Sequence, residues 1–249
     1  MPHNVFVRDD GGGIYSRPVP ENFLDFGAFG YILSPVEFSR CLVASLVANS
    51  TAVRASNVVT ITATAHGVPS AYNGFCFYYP GSPTLAAGWV DNITIADANT
   101  ITFPSTGADF ASESVNSAAA FTTAVNMSSY ISIPGGMIED DTSFILHTVI
   151  GSSNTAATKT IRPYTLTASG FIAPALTGTT AAVQGREWNF GMMNSTQLFG
   201  IGATVGSSTL STIITFNSLI ENRITLQLTV SAAQDFIAVV SCPKIIIRK

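Results

Sequence analysis

Between Ala55 and Val90, between Pro163 and Gly185, and between Trp188 and Ile220, the chain carries no Asp, Glu, Lys or Arg. These stretches are not oily. Ser, Thr, Asn, Ala and Gly interleave with Val, Ile, Leu and Phe, a pattern that suits strands and turns rather than membrane spans. Charged residues make up 10% of the chain, against roughly a quarter in an ordinary soluble domain. Mixed surface charge is what keeps free monomers apart. A chain that dispenses with it gives much of its surface to other chains, so the sequence predicts a component of an assembly.

The 249 residues can bury a substantial core, as one large β domain or as two smaller ones and a tail. The net charge of −4 and the pI near 5.2 provide no basic footprint, so no nucleic-acid partner is expected. Met1–Asp10 has two acidic residues and lacks the apolar run of roughly 7–15 residues of a secretory signal. The most apolar short run, Cys41–Ala48, is far below the roughly 20 residues of a spanning helix, so no membrane partner is expected either. Cys41, Cys76 and Cys242 are odd in number and none forms a C-x-x-C pair. That argues against a disulfide framework or a zinc site and fits assembly in a reducing cytosol. Asn-x-Ser/Thr triplets at Asn49, Asn92, Asn126 and Asn194 arise by chance in so Ser- and Thr-rich a chain.

Residues 1–38 read as an extended N-terminal arm. Gly11–Gly13 is flexible and Pro18 and Pro20 enforce extended backbone. Phe23, Phe26, Phe29 and Tyr31 follow, with glycines among them. They either fold back on the subunit's own core or anchor the arm in a neighbour, since rigid aromatics bury much area for little entropy. Ser34-Pro35-Val36-Glu37 has the form of a capping box with Pro at the first helical position and predicts one short helix.

Residues 39–122 read as a small β module. Val59–Thr64 alternates apolar residues with threonines, as a half-buried strand requires, and His66-Gly67 ends it. Phe75–Tyr79 is a second strand, and Gly88–Ile95 with Thr100–Phe103 form a hairpin around Asp97-Ala98-Asn99. Residues 123–249, after a small-residue linker, read as a jelly-roll β-sandwich. Ser129–Ile133 leads into Pro134-Gly135-Gly136, and Ser143–Ile150 and Thr158–Thr167 flank Gly151–Asn154. Pro163 places the second of these strands at a sheet edge or on a bulge. Arg223–Val230 alternates four apolar with four polar residues, and Phe236–Ile247, apolar on both faces, should be interior. The fold class expected is all-β, a jelly roll or sandwich behind a smaller β module and an arm.

Two stretches carry a resemblance. Val58–Gly67, then Trp89-Val90, then Ala96–Phe103, which is "ATAHG" followed by "DANTITF", resembles a small β module recurrent in tailed-phage virion proteins. Ile131–Ile138, Thr158–Arg162 and Asn222–Lys249 together resemble the jelly-roll module of phage head fibres, capsid decoration proteins and tail fibres. The resemblance covers most of residues 56–249 and leaves out the arm. It implies a virion protein, assembled in the host cytoplasm, whose partners are copies of itself as a homotrimer and other virion proteins such as the major capsid protein. It brings no catalytic residues with it.

A search for chemistry finds no G-x-x-x-x-G-K-[ST], G-x-S-x-G or H-E-x-x-H pattern. Of His3, His66 and His147, His66 sits at a strand end, where it serves turn backbone, and His147 alternates with apolar positions on one sheet face. Glu139-Asp140-Asp141 could hold a hard cation but lacks the calcium-loop pattern and reads as a solvated turn. Trp89, Trp188, Tyr78 and Tyr79 could stack on sugar rings, although packing is the stronger reading for each. Cys76, between Phe75 and Phe77, reads as a buried small apolar side chain.

The sequence thus predicts a non-enzymatic virion structural protein without cofactor or metal, a capsid decoration or head-fibre subunit whose arm anchors are Phe23, Phe26, Phe29 and Tyr31. The rival in the same particle is a tail or baseplate fibre that binds host glycans. A polysaccharide depolymerase, which needs two carboxylates on a groove, is the third reading, and the sparse Asp and Glu count against it.

Overall fold

The computed structural model describes residues 4–8, 14–18, 23–25, 31–116, 124–138, 142–155, 157–167, 170–171, 176–178, 184–204, 207–208 and 212–248. The fold is all-β, as expected, with sheets of two, five, six and twelve strands and no α-helix among the described residues. One 3-10 turn, Ser70–Tyr72, interrupts it.

The largest sheet is the middle layer. Its backbone runs from Gln197–Thr204 through Gln184–Asn194, Ser143–Ser152, Phe236–Val239, Cys41–Ala44 and Cys76–Tyr79 to Gly88–Val90. Alternation at its centre serves two cores at once. Cys41, Val43, Cys76, Ile237 and Val239 face one core, while Leu42, Ala44, Phe77, Tyr79, Phe236 and Ala238 face the other. Strands with both faces buried must be apolar throughout, which accounts for the unbroken apolar run at 236–239.

The first core lies against the six-stranded sheet, whose spine is Asn222–Val230 paired with Lys159–Thr165. Ile224, Leu226, Leu228 and Val230 meet Phe144, Leu146, Trp188 and Phe190 there. The second core lies against the five-stranded sheet Thr94–Asp97, Thr100–Pro104, Val58–Thr62, Thr51–Ala55 and Phe110–Ser114, through Val59, Ile61, Ile101 and Phe103.

Several local expectations change. Ser34–Glu37 forms bends, not a helix. It is a short link between Tyr31–Leu33 and Cys41–Ala44, with no amphipathic run behind it to stabilise a helix. Gly88–Ile95 is not one strand. Gly88–Val90 pairs with Cys76–Tyr79 in the large sheet, while Thr94–Asp97 pairs with Thr100–Pro104 in the small one. The chain changes sheets at Asn92, whose φ of 58° is left-handed. Phe236–Ile247 is likewise two strands, Phe236–Val239 and Lys244–Arg248, parted before Pro243 and both paired with Ser143–Ser152. On Asn222–Val230 the polar face is covered as well: Thr225 donates to Ser129 O, and Gln227 bonds Asn126 and Arg162.

Pro163 is neither at a free edge nor on a bulge. Asn222–Val230 pairs along its whole strand, and the neighbour on the other side is broken into Leu176–Gly178 and Gly170–Phe171, paired at Ile161 and Tyr164. Leu166 N–H donates to Arg223 O, so by antiparallel alternation the Pro163 nitrogen faces the broken neighbour. The ladder lapses where a donor is missing.

Candidate functional surfaces

The two fragments of the "ATAHG…DANT" pattern come together as a latch. Ala63 N–H donates to Asn99 O, Ala65 N–H to Asn99 Oδ1, His66 N–H to Ala98 O, and Asn99 N–H to Asp97 Oδ1. His66 is fully buried. Its Nδ1 accepts from Val68 N–H at 3.1 Å, which leaves Nε2 to donate to Asp97 O at 2.9 Å. The imidazole is thus held neutral, and burial pushes its pKa below the ordinary value against a smaller opposing effect of Asp97. Gly67, at φ 74°, leaves room for the Gln234 carbonyl, which a Cβ would strike. The pattern is structural chemistry that closes a turn.

His147 is half-buried on the Ser143–Ser152 strand, opposite Glu187 on one side and Lys244 on the other. Glu139-Asp140-Asp141 and His3 lie outside the described residues. No cluster of three His, Cys, Asp or Glu suited to a metal ion exists among the described residues. Cys41 and Cys76 are register partners on two parallel strands, both free and buried. Burial raises both thiols, and Cys76, also beside Asp91, is pushed up to about 12, so neither is a nucleophile near neutrality.

Of the four arm aromatics, Tyr31 is half-buried and packs in part against the first core. Its strand, Tyr31–Leu33, joins Lys244–Arg248 on one side and Phe23–Asp25 on the other, so the backbone at Phe23 lies in the subunit's own sheet. Phe26 and Phe29 lie outside the described residues. Farther out, Asn4–Arg8 and Ile14–Pro18 form a two-stranded hairpin that shares no sheet with the body among the described residues.

The four aromatics considered for sugar stacking divide. Trp188 and Tyr79 are fully buried. Trp89 and Tyr78 are half-buried and meet edge to face at 5.4 Å. Trp89 lines a groove of about 490 Å³ with Tyr130, Glu37, Asp91, Ser128 and Ser129. Its indole N–H is tied to Asn126 O at 2.9 Å, which fixes the ring. Tyr130 is 40% exposed, with the Arg223 guanidinium 5.1 Å from its ring centroid. Ser129 Oγ is covered and has no hydrogen-bond partner among the described residues. Neither carboxylate is in an ion pair among the described residues.

A second surface went unread in the sequence. Gly136 N–H donates to Ser218 O, Ser218 N–H to Ser195 O, and Leu166 N–H to Arg223 O. These bonds gather the Pro134–Met137 turn, the 193–197 hairpin, Leu166 and the 217–221 loop at one end of the sandwich. Leu166, Met193, Leu219 and Ile220 are all exposed there, Leu219 at 70%. Glu221 rims this end; Arg223 first and Ser132 second hold its carboxyl below the usual range. Scattered Leu and Ile in loops give no periodic signal, and their gathering depends on backbone bonds between distant segments. No protein-family model, no curated protein and no solved structure matches this chain.

Proposed function

We propose that the chain is a non-enzymatic structural protein of a tailed-phage virion, a capsid decoration or head-fibre subunit. It acts through contacts with copies of itself, as a trimer, and with the major capsid protein. The observation that carries this reading is the apolar end of the sandwich, where Leu166, Met193, Leu219 and Ile220 stand in water beside a single Glu221–Arg223 pair. A free subunit gains nothing from that arrangement. Covering each such side chain contributes roughly 1.5–3 kcal/mol, partly offset by the entropy of association.

The N-terminal hairpin supports the same reading. An isolated two-stranded hairpin is marginal in water, and among the described residues Asn4–Arg8 and Ile14–Pro18 pair only with each other, which suits an arm that docks elsewhere. Phe23, Phe26, Phe29 and Tyr31 are its proposed anchors, Tyr31 being shared with the subunit's own core. The resemblance of residues 56–249 to decoration and fibre modules supplies the particle.

Sedimentation tests the contact and particle analysis tests the place. The purified chain is expected to sediment as an oligomer at micromolar concentration, and Leu219→Asp with Ile220→Asp to shift it toward monomer while its melting temperature holds. Phe26→Ala is expected to weaken incorporation into particles more than it lowers that temperature. A wild-type monomer sinks the reading, and so does a subunit count in purified particles that matches the tail instead of the capsid lattice.

A further inference from the structure

The groove beside Trp89 combines flat aromatic side chains with carboxylates and hydroxyls, and its chemistry differs from that of the apolar end. About 490 Å³ lies in the range of small-molecule pockets, roughly 300–1,000 Å³, and accommodates a short run of sugar rings. Flat aromatic surface is present and held still. Asn126 O fixes the Trp89 indole, Tyr78 packs edge-on behind it, and Arg223 covers one side of Tyr130. Rigid aromatics of this kind supply contact area at little entropic cost.

The polar lining is dominated by acceptors. Glu37 and Asp91 are exposed carboxylates on the groove, each able to take two hydroxyl hydrogen bonds side by side. Neither is neutralised by a cation among the described residues. Ser39 and Ser128 add hydroxyls.

We infer that this groove binds a neutral saccharide, its rings stacked on Trp89 and Tyr130 and its vicinal hydroxyls donating to Glu37 and Asp91. The two carboxylates also set the selectivity. Uronic, sialic and phosphorylated sugars would bring a like charge against Glu37 and Asp91, so they are expected to bind more weakly than neutral ones. The site goes beyond the assembly role, because the apolar end and the groove use different residues except where Tyr130 and Arg223 adjoin both.

Tryptophan fluorescence reads this site directly, since Trp188 is fully buried and Trp89 is half-exposed. The full-length protein is screened on an array of neutral hexose and N-acetylhexosamine oligosaccharides beside uronic and sialylated ones, and hits are titrated by fluorescence. At least one neutral glycan is expected to bind and to change the emission. Glu37→Gln with Asp91→Asn should weaken it about tenfold or more, roughly 1.4 kcal/mol, and Trp89→Phe should remove most of the fluorescence response. Tyr130→Ala, at an exposed position, guards against misfolding of the Trp89 variant and should weaken binding by a similar factor. Leu219→Asp should leave binding intact, which separates this site from assembly. The inference is overturned by a lack of neutral ligands, by acidic glycans binding better, or by equal affinity in the carboxylate and Tyr130 variants.

Discussion

Lys159 is a cation shut away from solvent. Its ammonium donates to Ser153 O at 3.0 Å, Thr155 O at 3.2 Å and Thr155 Oγ1 at 2.7 Å, and lies 3.5 Å from Asp235 Oδ1. Asp235 in turn accepts from the Ser153 and Thr155 hydroxyls at 2.6 Å. Both side chains are at most 2% exposed. Each charge therefore depends on the other, and removing one strands its partner in the interior. Lys159→Ala is expected to lower unfolding stability by about 3–5 kcal/mol, read as a drop in the urea midpoint with the slope unchanged. Arg54 is a second such residue: 7% exposed, it donates to the Ala108 and Thr106 carbonyls and packs over Phe110, and a Cβ at Gly107 would come within 2.8 Å of it. Neither cation announces itself in the sequence, because the groups that satisfy them come from turns that no periodicity links to them.

At the scale of the element, alternation was a sound guide and continuity was not. Val58–Thr62, Thr100–Pro104 and Asn222–Val230 lie where period-two patterns put them. The strands that proved discontinuous, at 88–95 and 236–247, are stretches in which the chain bends away and then re-enters a sheet. Hydrophobicity records burial and does not record which layer does the burying. The His66 latch was legible as a strand end, and its chemistry has a pH signature. Protonation must break the Val68 N–H bond to Nδ1, so the folded pKa is depressed and the unfolded chain takes the proton first. Stability is then full above the unfolded value of about 6.5 and falls as pH drops through it. Urea midpoints measured from pH 7.5 to 5.5 should decline for the wild type and decline less for His66→Asn. Parallel slopes in the two proteins would remove His66 from this role.

For the whole molecule, the decisive fact is that one sheet completes two cores. The strands of the five-stranded sheet all fall between Thr51 and Ser114, with Cys76–Tyr79 and Gly88–Val90 of the large sheet inserted among them, and its apolar side is closed by Leu42, Phe77, Phe236 and Ala238. Phe236 and Ala238 come from a strand far along the chain. A fragment of residues 39–122 lacks them, and it is expected to give a collapsed, poorly dispersed amide spectrum. The intact protein should unfold in one calorimetric transition with equal calorimetric and van't Hoff enthalpies. A folded fragment, or two resolved transitions, would show the layers to be independent. The groove and the apolar end were the least legible parts, since each is assembled from loops whose proximity only the sheets determine.

The sheet hydrogen bonds also impose an order in time. Tyr31–Leu33 waits for Lys244–Arg248, and Cys41–Ala44 for Phe236–Val239. At roughly 5–20 residues per second, the ribosome leaves these early strands without their C-terminal partners for many seconds. Non-local pairings of this kind also form slowly after release. Through that interval the uncharged 55–90 stretch, joined late by 188–220, offers no electrostatic repulsion to keep nascent chains apart. Yield of this protein should therefore respond to temperature and chaperone supply during synthesis far more than its finished stability would suggest.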